Sequence, residues 1–244
     1  MLLLDIGNTR LKVAVAKKNN VEVFASVGHR GDLVATTKGL ELPNGFDGVH
    51  VASVVSSENE DVLEKALENK TGLKPIFHKV LPFFAGVHNG YREPSRLGVD
   101  RWMAIIAAFR RVRGAVCVVD CGTTITIDLV TKEGKHSGGF ILPGLMMAEH
   151  SLLQGTKEIN LSSEDRRQEL SWGCSSEEAV CHGALFSATA SIERAWRVFQ
   201  DEASGAALLL TGGDAPVIAK HLPFSELVPE LVLEGILCSA TLEA

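Results

Sequence analysis

Apolar positions fall in short blocks along the chain, and each block predicts an element. Leu2–Leu4 reads as a strand and Leu11–Ala16 as its hairpin partner. A polar turn at Lys18, Asn19 and Asn20 leads to a third strand over Val21–Ser26. A helix or loop follows around 30–40. The apolar run in Gly48–Val55 predicts a buried strand, and Glu58–Thr71 a helix ended by Gly72. Pro75–Val80 reads as a short strand. Residues 82–98, rich in Gly, Pro, Asn and Ser, read as an irregular loop. Trp102, Ile105, Ile106 and Phe109 then recur at i, i+3, i+4 and i+7. That spacing predicts an amphipathic helix, with Arg110, Arg111 and Arg113 at its end, where cations suit the helix dipole.

After Gly114 the pattern restarts. Ala115–Val119, Thr124–Thr131 and Ser137–Leu142 read as three strands, with turns at Glu133-Gly134 and Pro143-Gly144. A helix is expected near 145–154, a polar excursion over 155–172, and a long helix over Ser175–Gln200 with Ser175 and Glu178 as a capping box. Small residues at Ala184 and Ala188, and at Gly183, Ser187 and Ser191, would let another backbone approach that helix. Leu208–Leu210 is a strand entering Thr211-Gly212-Gly213. Asp214 is placed to cap the next helix, with Pro216 in its first turn.

The restart repeats a phrase. DIGNTRLK begins at Asp5, directly after the first apolar run, and DCGTTITID begins at Asp120, directly after the Val116–Val119 run. They lie 115 positions apart (120 − 5). A repeat of half the chain predicts two similar domains, 1–113 and 114–244, each opening on strand, D-x-G turn, strand, turn, strand. Two such domains facing each other would aim both turns at one ligand.

A D-x-G-[NT]-T turn suits phosphate. Gly7 and Gly122 leave room for backbone N–H groups to approach an anion, and Asn8, Thr9, Thr123 and Thr124 add side-chain donors. Asp5 and Asp120 put a carboxylate at each strand end, where it can hold a metal ion or its water shell. Lys12 adds a positive charge. One such turn is equally ordinary hairpin chemistry; two in register point to phosphate. The chain contains no G-x-x-x-x-G-K-[ST], Rossmann G-x-G-x-x-G, G-x-S-x-G or H-E-x-x-H. P-loop enzymes, dehydrogenases and serine hydrolases are thereby disfavoured.

Charge and composition narrow the class further. The net charge of −6, without any basic block, argues against nucleic acid and anionic membrane surfaces as partners. No apolar stretch is long enough to span a membrane, and the N-terminus opens on a strand rather than a secretion leader. Five cysteines without framework spacing suit reduced thiols in the cytoplasm. Cys181-His182 lacks a second short-spaced ligand pair and reads as packing. His29, His88, His136 and His150 read as surface or packing residues.

Between the repeats stands YREPSRLGVDRW, residues 91–102. Asp100 and Arg101 fall in the first turn of the predicted helix, after Gly98. An aspartate there can cap the helix or accept a proton from a hydroxyl in phosphoryl transfer. Arg101 can bind an anionic group or pair with a carboxylate.

These residues together resemble the type III pantothenate kinases, within the sugar kinase/Hsp70/actin superfold. The similarity spans the chain: DIGNTRLK, VASVV, Tyr91 with Pro94 and Leu97–Arg101, DCGTTITID, Gly138-Gly139 with Leu142-Pro143-Gly144, and Thr211-Gly212-Gly213. The resemblance implies an α/β fold of two actin-like, ribonuclease H-like domains, each a mixed sheet flanked by helices, across a nucleotide cleft. It implies ATP-dependent phosphorylation of pantothenate at its 4′-hydroxyl, the first committed step toward coenzyme A. By matching motif, Asp100 would be the general base. Tyr91, Gly98, Val99, Asp100 and Arg101 would bind pantothenate. Asp5, Ile6, Gly7, Asn8, Thr9, Arg10, Leu11, Lys12 and Thr123 would bind ATP. Asp120 would hold a monovalent cation, potassium or ammonium, and magnesium would accompany ATP. The family is homodimeric, with a threonine of the long helix completing the partner's substrate site; Ser176 stands there in this chain, keeping the hydroxyl and losing the methyl. The alternatives are a kinase of the same superfold for another small hydroxyl substrate, and a non-catalytic ATP-binding accessory or regulatory protein.

Overall fold

The structure, a computed structural model, describes residues 1–18, 20–29, 32–55, 57–155 and 169–242. The chain forms two compact units: residues 1–111 with the segment from Glu230 onward, and residues 112–229.

The first unit opens with β1 (Leu2–Ile6), β2 (Arg10–Lys17) and β3 (Asn20–Gly28), followed by α1 (Leu33–Gly39), β4 (Val49–Ser53), α2 (Ser57–Thr71) and β5 (Ile76–Phe77). The sheet order is β3-β2-β1-β4-β5, antiparallel at the first two seams and parallel at the last two. Leu2, Leu4 and Ile6 alternate onto one face and pack with Leu11, Val13, Leu63 and Leu67, all essentially inaccessible. Each such side chain contributes about 1.5–3 kcal/mol by leaving water. Asp5 lies on the opposite face of the same strand. Helix α1 starts because the Asp32 carboxylate accepts the Ala35 N–H at 2.8 Å. Helix α2 ends at Gly72, whose φ of 72° lets its N–H return to the Glu68 carbonyl at 2.8 Å.

Residues 82–98 are more ordered than their composition suggests. β6 (Phe83–Phe84) and β7 (Val87–His88) form a hairpin, turned by Ala85 and Gly86 at φ of 52° and 87°. A 3₁₀ turn over Pro94–Arg96 then leads into α3 (Val99–Val112). The predicted strand at Pro75–Val80 shrinks to β5.

The second unit repeats the first. β8 (Val116–Cys121), β9 (Thr124–Val130) and β10 (His136–Pro143) are followed by α4 (Leu145–Gly155), α5 (Ser176–Glu202), β11 (Ala207–Thr211), α6 (Ala215–Ala219) and β12 (Glu226–Leu227). The order is β10-β9-β8-β11-β12, with the same sequence of antiparallel and parallel seams. Cys117, Val119, Cys121, Ile125 and Ile127 face Leu185, Ala188, Ile192 and Phe199 of α5. Ser175 caps α5, accepting the Glu178 N–H at 3.1 Å, while the Glu178 carboxylate takes the Cys174 N–H at 2.7 Å. The predicted excursion over 155–172 lies, for residues 156–168, outside the described residues.

Two further expectations are corrected. Residues 114–244 do not form one unit. The final helix α7 (Leu231–Leu242) packs against β1 and β4 of the first sheet, because Gly235 lets it lie against the Met103 backbone, where a Cβ would collide. Asp214 makes no side-chain cap bond to α6. Its φ, ψ of −91°, −5° are already helical, so its carboxylate is not swung over the helix start as an extended N-cap would be.

Beneath the first sheet, His50 and His78 stack with ring centroids 5.3 Å apart, and their Nδ1 and Nε2 atoms lie 3.2 Å apart. Burial, and then the neighbouring His50, lower the His78 pKa from 6.5 to about 4. The folded state therefore holds His78 neutral where the unfolded chain protonates it. Stability is unaffected above pH 6.5 and falls as the pH drops from 6.5 toward 4, by at most about 3 kcal/mol. Urea titrations at pH 7 and pH 4.5 should show this loss, and His78→Gln should flatten the slope. An equal slope in the variant would remove His78 as its source.

Candidate functional site

The first D-x-G turn is short. Asp5 and Ile6 belong to β1, Arg10 to Lys12 to β2, and only Gly7 to Thr9 form the connection. Gly7 donates to the Arg10 carbonyl at 3.0 Å and closes it. Asn8, Thr9 and Arg10 are exposed, and Ile6 and Leu11 are core residues, so any ligand contact from those two is made by backbone. A Cβ on Gly7 would meet only the Arg10 carbonyl, at an ordinary 3.6 Å. The fold itself does not demand glycine here; the open space lies on the solvent side. Lys12 is in register with Asp5, and its ammonium lies 3.9 Å from Glu230. His29, expected as a surface or packing residue, is buried with its Nε2 3.0 Å from the Gly7 carbonyl oxygen.

The 91–101 segment lies in the same unit. Arg101 is buried, donates to the Tyr91 hydroxyl at 2.8 Å and stacks over that ring at 5.5 Å. Asn89 fixes the approach by accepting the Tyr91 N–H at 2.9 Å. Asp100 stands in the first turn of α3 and accepts the Arg101 N–H at 2.7 Å. Gly98 makes room for it, since a Cβ there would sit 2.6 Å from Asp100 Oδ1. Val99 is buried. Gly98, Val99 and Leu97 border a groove of about 380 Å³ that also touches Ser53 to Val55 of the VASVV run, with Lys79 held in an ion pair to Glu60.

The second turn is enclosed more tightly. Asp120 is the penultimate residue of β8, opposite Thr126 on one side and Thr211 on the other. Gly122 donates to the Thr124 carbonyl at 3.1 Å, and Thr123 is exposed. Gly212 has φ of +93°, and a Cβ on it would strike Asp120 Oδ1 and the Cys121 backbone. Asp214 donates its N–H to the Cys121 carbonyl at 2.8 Å, and burial raises its carboxyl pKa. Burial, and then the charges of Asp120 and Asp214, push the Cys121 thiol up, so it stays protonated and inert. The carboxylates at the two turns, Asp5, Asp120 and Asp214, are the oxygen ligands that hard cations take.

The predicted site residues are divided between the two units. Asp5–Lys12 and Tyr91–Arg101 belong to the first unit, Asp120 and Thr123 to the second. Ser176, also in the second unit, is exposed in the first turn of α5.

Residues 1–198 match the family model described as type III pantothenate kinase. The chain belongs to the type III pantothenate kinase family. A type III pantothenate kinase of Acinetobacter baumannii is 35% identical over 240 residues, covering 96% of this chain and 95% of the relative. One from Nitrosococcus oceani is 35% identical over 245 residues, covering 97% and 92%. Among solved structures, a Campylobacter jejuni protein described as a Baf family transcriptional activator superposes with a TM-score of 0.63 at 21% identity, over 100% of this chain and 98% of that one. The ethanolamine utilization protein EutJ of Carboxydothermus hydrogenoformans gives 0.55 at 15%, over 96% and 88%. At those identities the two structures establish the fold alone, α/β with two mixed sheets flanked by helices. Membership in the type III pantothenate kinase family makes the chain a phosphotransferase, with ATP and pantothenate as its substrates and a divalent metal accompanying ATP. Among the described residues no helix is long and apolar enough to cross a membrane.

Proposed function

We propose that this chain transfers the γ-phosphoryl group of ATP to the 4′-hydroxyl of pantothenate, in the cytoplasm, with Asp100 as general base. The observation that carries the reading is the start of α3. There a carboxylate is seated over Gly98, one residue from an arginine already oriented by Tyr91. Asp100 accepts the hydroxyl proton as the oxygen attacks the γ-phosphorus. Arg101, Tyr91, Gly98 and Val99 hold the acceptor, with Arg101 facing its carboxylate. Asp5 to Lys12 and Thr123 hold ATP through turn N–H groups, hydroxyls and the Lys12 ammonium. Asp120 holds potassium or ammonium, which offsets phosphate charge when bound. A panel of hydroxyl acceptors tests the acceptor: pantothenate is expected to drive ADP release, while hexoses and short hydroxy acids are not. Faster turnover of a hexose would move the reading to a sugar kinase.

The active form is a homodimer joined through α5, with Ser176 completing the partner's substrate site. The small residues of this helix divide by face. Ala184 and Ala188 are buried, Ala188 in the core of the second sheet, while Gly183 and Ser187 are exposed beside Phe186, which is 65% accessible. Exposed Phe140 on β10, in register with the core residue Ile127, and Met146 and Met147 on α4 extend the apolar surface along neighbouring elements. A Cβ on Gly183 would meet nothing within 4 Å. Gly183→Leu should therefore fold normally yet give a monomer by light scattering, with a raised KM for pantothenate. A variant that remains a fully active dimer would place the interface elsewhere.

A further inference from the structure

The two D-x-G turns are closed by different means, and the difference singles out His29. In each repeat the chain leaves the third strand directly beside the turn. After β10, Gly144 donates its N–H to the Thr123 carbonyl at 3.1 Å, and a Cβ there would collide with the carbonyl oxygens of Gly122 and Thr123. The node is filled by backbone alone. After β3, His29 takes the corresponding place and donates its N–H to the Thr9 carbonyl at 3.2 Å. Here a side chain is admitted. The imidazole turns into the turn and sets Nε2 3.0 Å from the Gly7 carbonyl oxygen, in a residue only 6% exposed. The Asp32 N–H donates to the His29 carbonyl at 2.7 Å. The capped start of α1 thereby anchors His29.

We infer that His29 is a positioning residue for nucleotide binding, its Nε2–H fixing the Gly7 carbonyl and hence the orientation of the Gly7–Asn8 peptide. A trans peptide holds its C=O and N–H on opposite sides. Anchoring the Gly7 oxygen toward His29 aims the Asn8 N–H away from the protein, where a phosphate oxygen of ATP can accept it. Because a glycine peptide is otherwise free to rotate, the anchor removes an entropic cost from phosphate binding. The inference rests on the reading of this turn as a triphosphate site.

The test compares His29→Phe, which keeps an aromatic ring without the donor, with His29→Gln, whose amide N–H reaches about as far. Calorimetry with Mg-ATP, steady-state kinetics and melting temperature are measured for the full chain. His29→Phe is expected to weaken Mg-ATP binding about tenfold, leave the KM for pantothenate unchanged, and be largely rescued in His29→Gln. If the Phe variant folds poorly, His29→Asn, with an amide too short to reach Gly7, is expected to show the same ATP-selective loss. Wild-type ATP affinity in a folded Phe or Asn variant would overturn the proposal, as would equal losses for both substrates. A wild-type chain that binds no Mg-ATP would instead overturn the phosphate reading of the turn, and the proposal with it.

Discussion

Asp100→Asn is expected to lower kcat by about a hundredfold to ten-thousandfold while ATP affinity stays nearly unchanged. Asn matches Asp in shape, and its amide oxygen can still accept the Arg101 N–H, so the start of α3 survives. What is lost is a group able to take the acceptor's proton. Phosphoryl transfer otherwise depends on positioning and charge, which we assign to the turns. Kinetics with both substrates, calorimetric ATP binding and a melting curve separate the effects. Near-wild-type kcat would remove the general-base role. A lowered melting temperature with weakened ATP binding would make Asp100 a structural cap instead.

Gly212→Ala is expected to cost stability rather than chemistry alone. The backbone at φ of +93° suits glycine, and the added Cβ would press on Asp120 Oδ1 and the Cys121 backbone. The positive φ contributes about 1–3 kcal/mol of strain, and overpacking contributes a similar amount. Relief would come from displacing the Asp120 carboxylate, so catalysis should fall together with the urea midpoint. Gly7→Ala is the contrast. Its Cβ would have room, so the fold should persist and only ligand binding should suffer. Equal stability of Gly212→Ala and wild type would show that the turn around Asp120 is looser than its packing indicates.

The repeat was legible because each D-x-G follows an apolar strand, and the matching β3-β2-β1-β4-β5 and β10-β9-β8-β11-β12 orders carry it through the sheets. Other features lacked a local signal. Helix α7 is buried on nearly every side, so LVLEGILCSATL offers little contrast between faces, and its return to the first sheet is a tertiary choice. The β6–β7 hairpin has strands of two residues inside a Gly- and Pro-containing stretch, below the length at which alternation shows. Small residues on α5 announced close packing without saying on which face; burial assigns Ala184 and Ala188 inward and Gly183 and Ser187 outward. His29 belongs to no motif. Aligning the ends of the two third strands, where it stands opposite Gly144, was the one signal in the sequence that could have found it.

The most direct test of the account is product formation by the purified protein with Mg-ATP and pantothenate, with and without potassium or ammonium, followed by ADP release and by the mass of the product. We expect 4′-phosphopantothenate formed in step with ADP, at a rate that collapses without a monovalent cation and in Asp120→Asn. ATP binding without any phosphorylated product under every cation condition would contradict it.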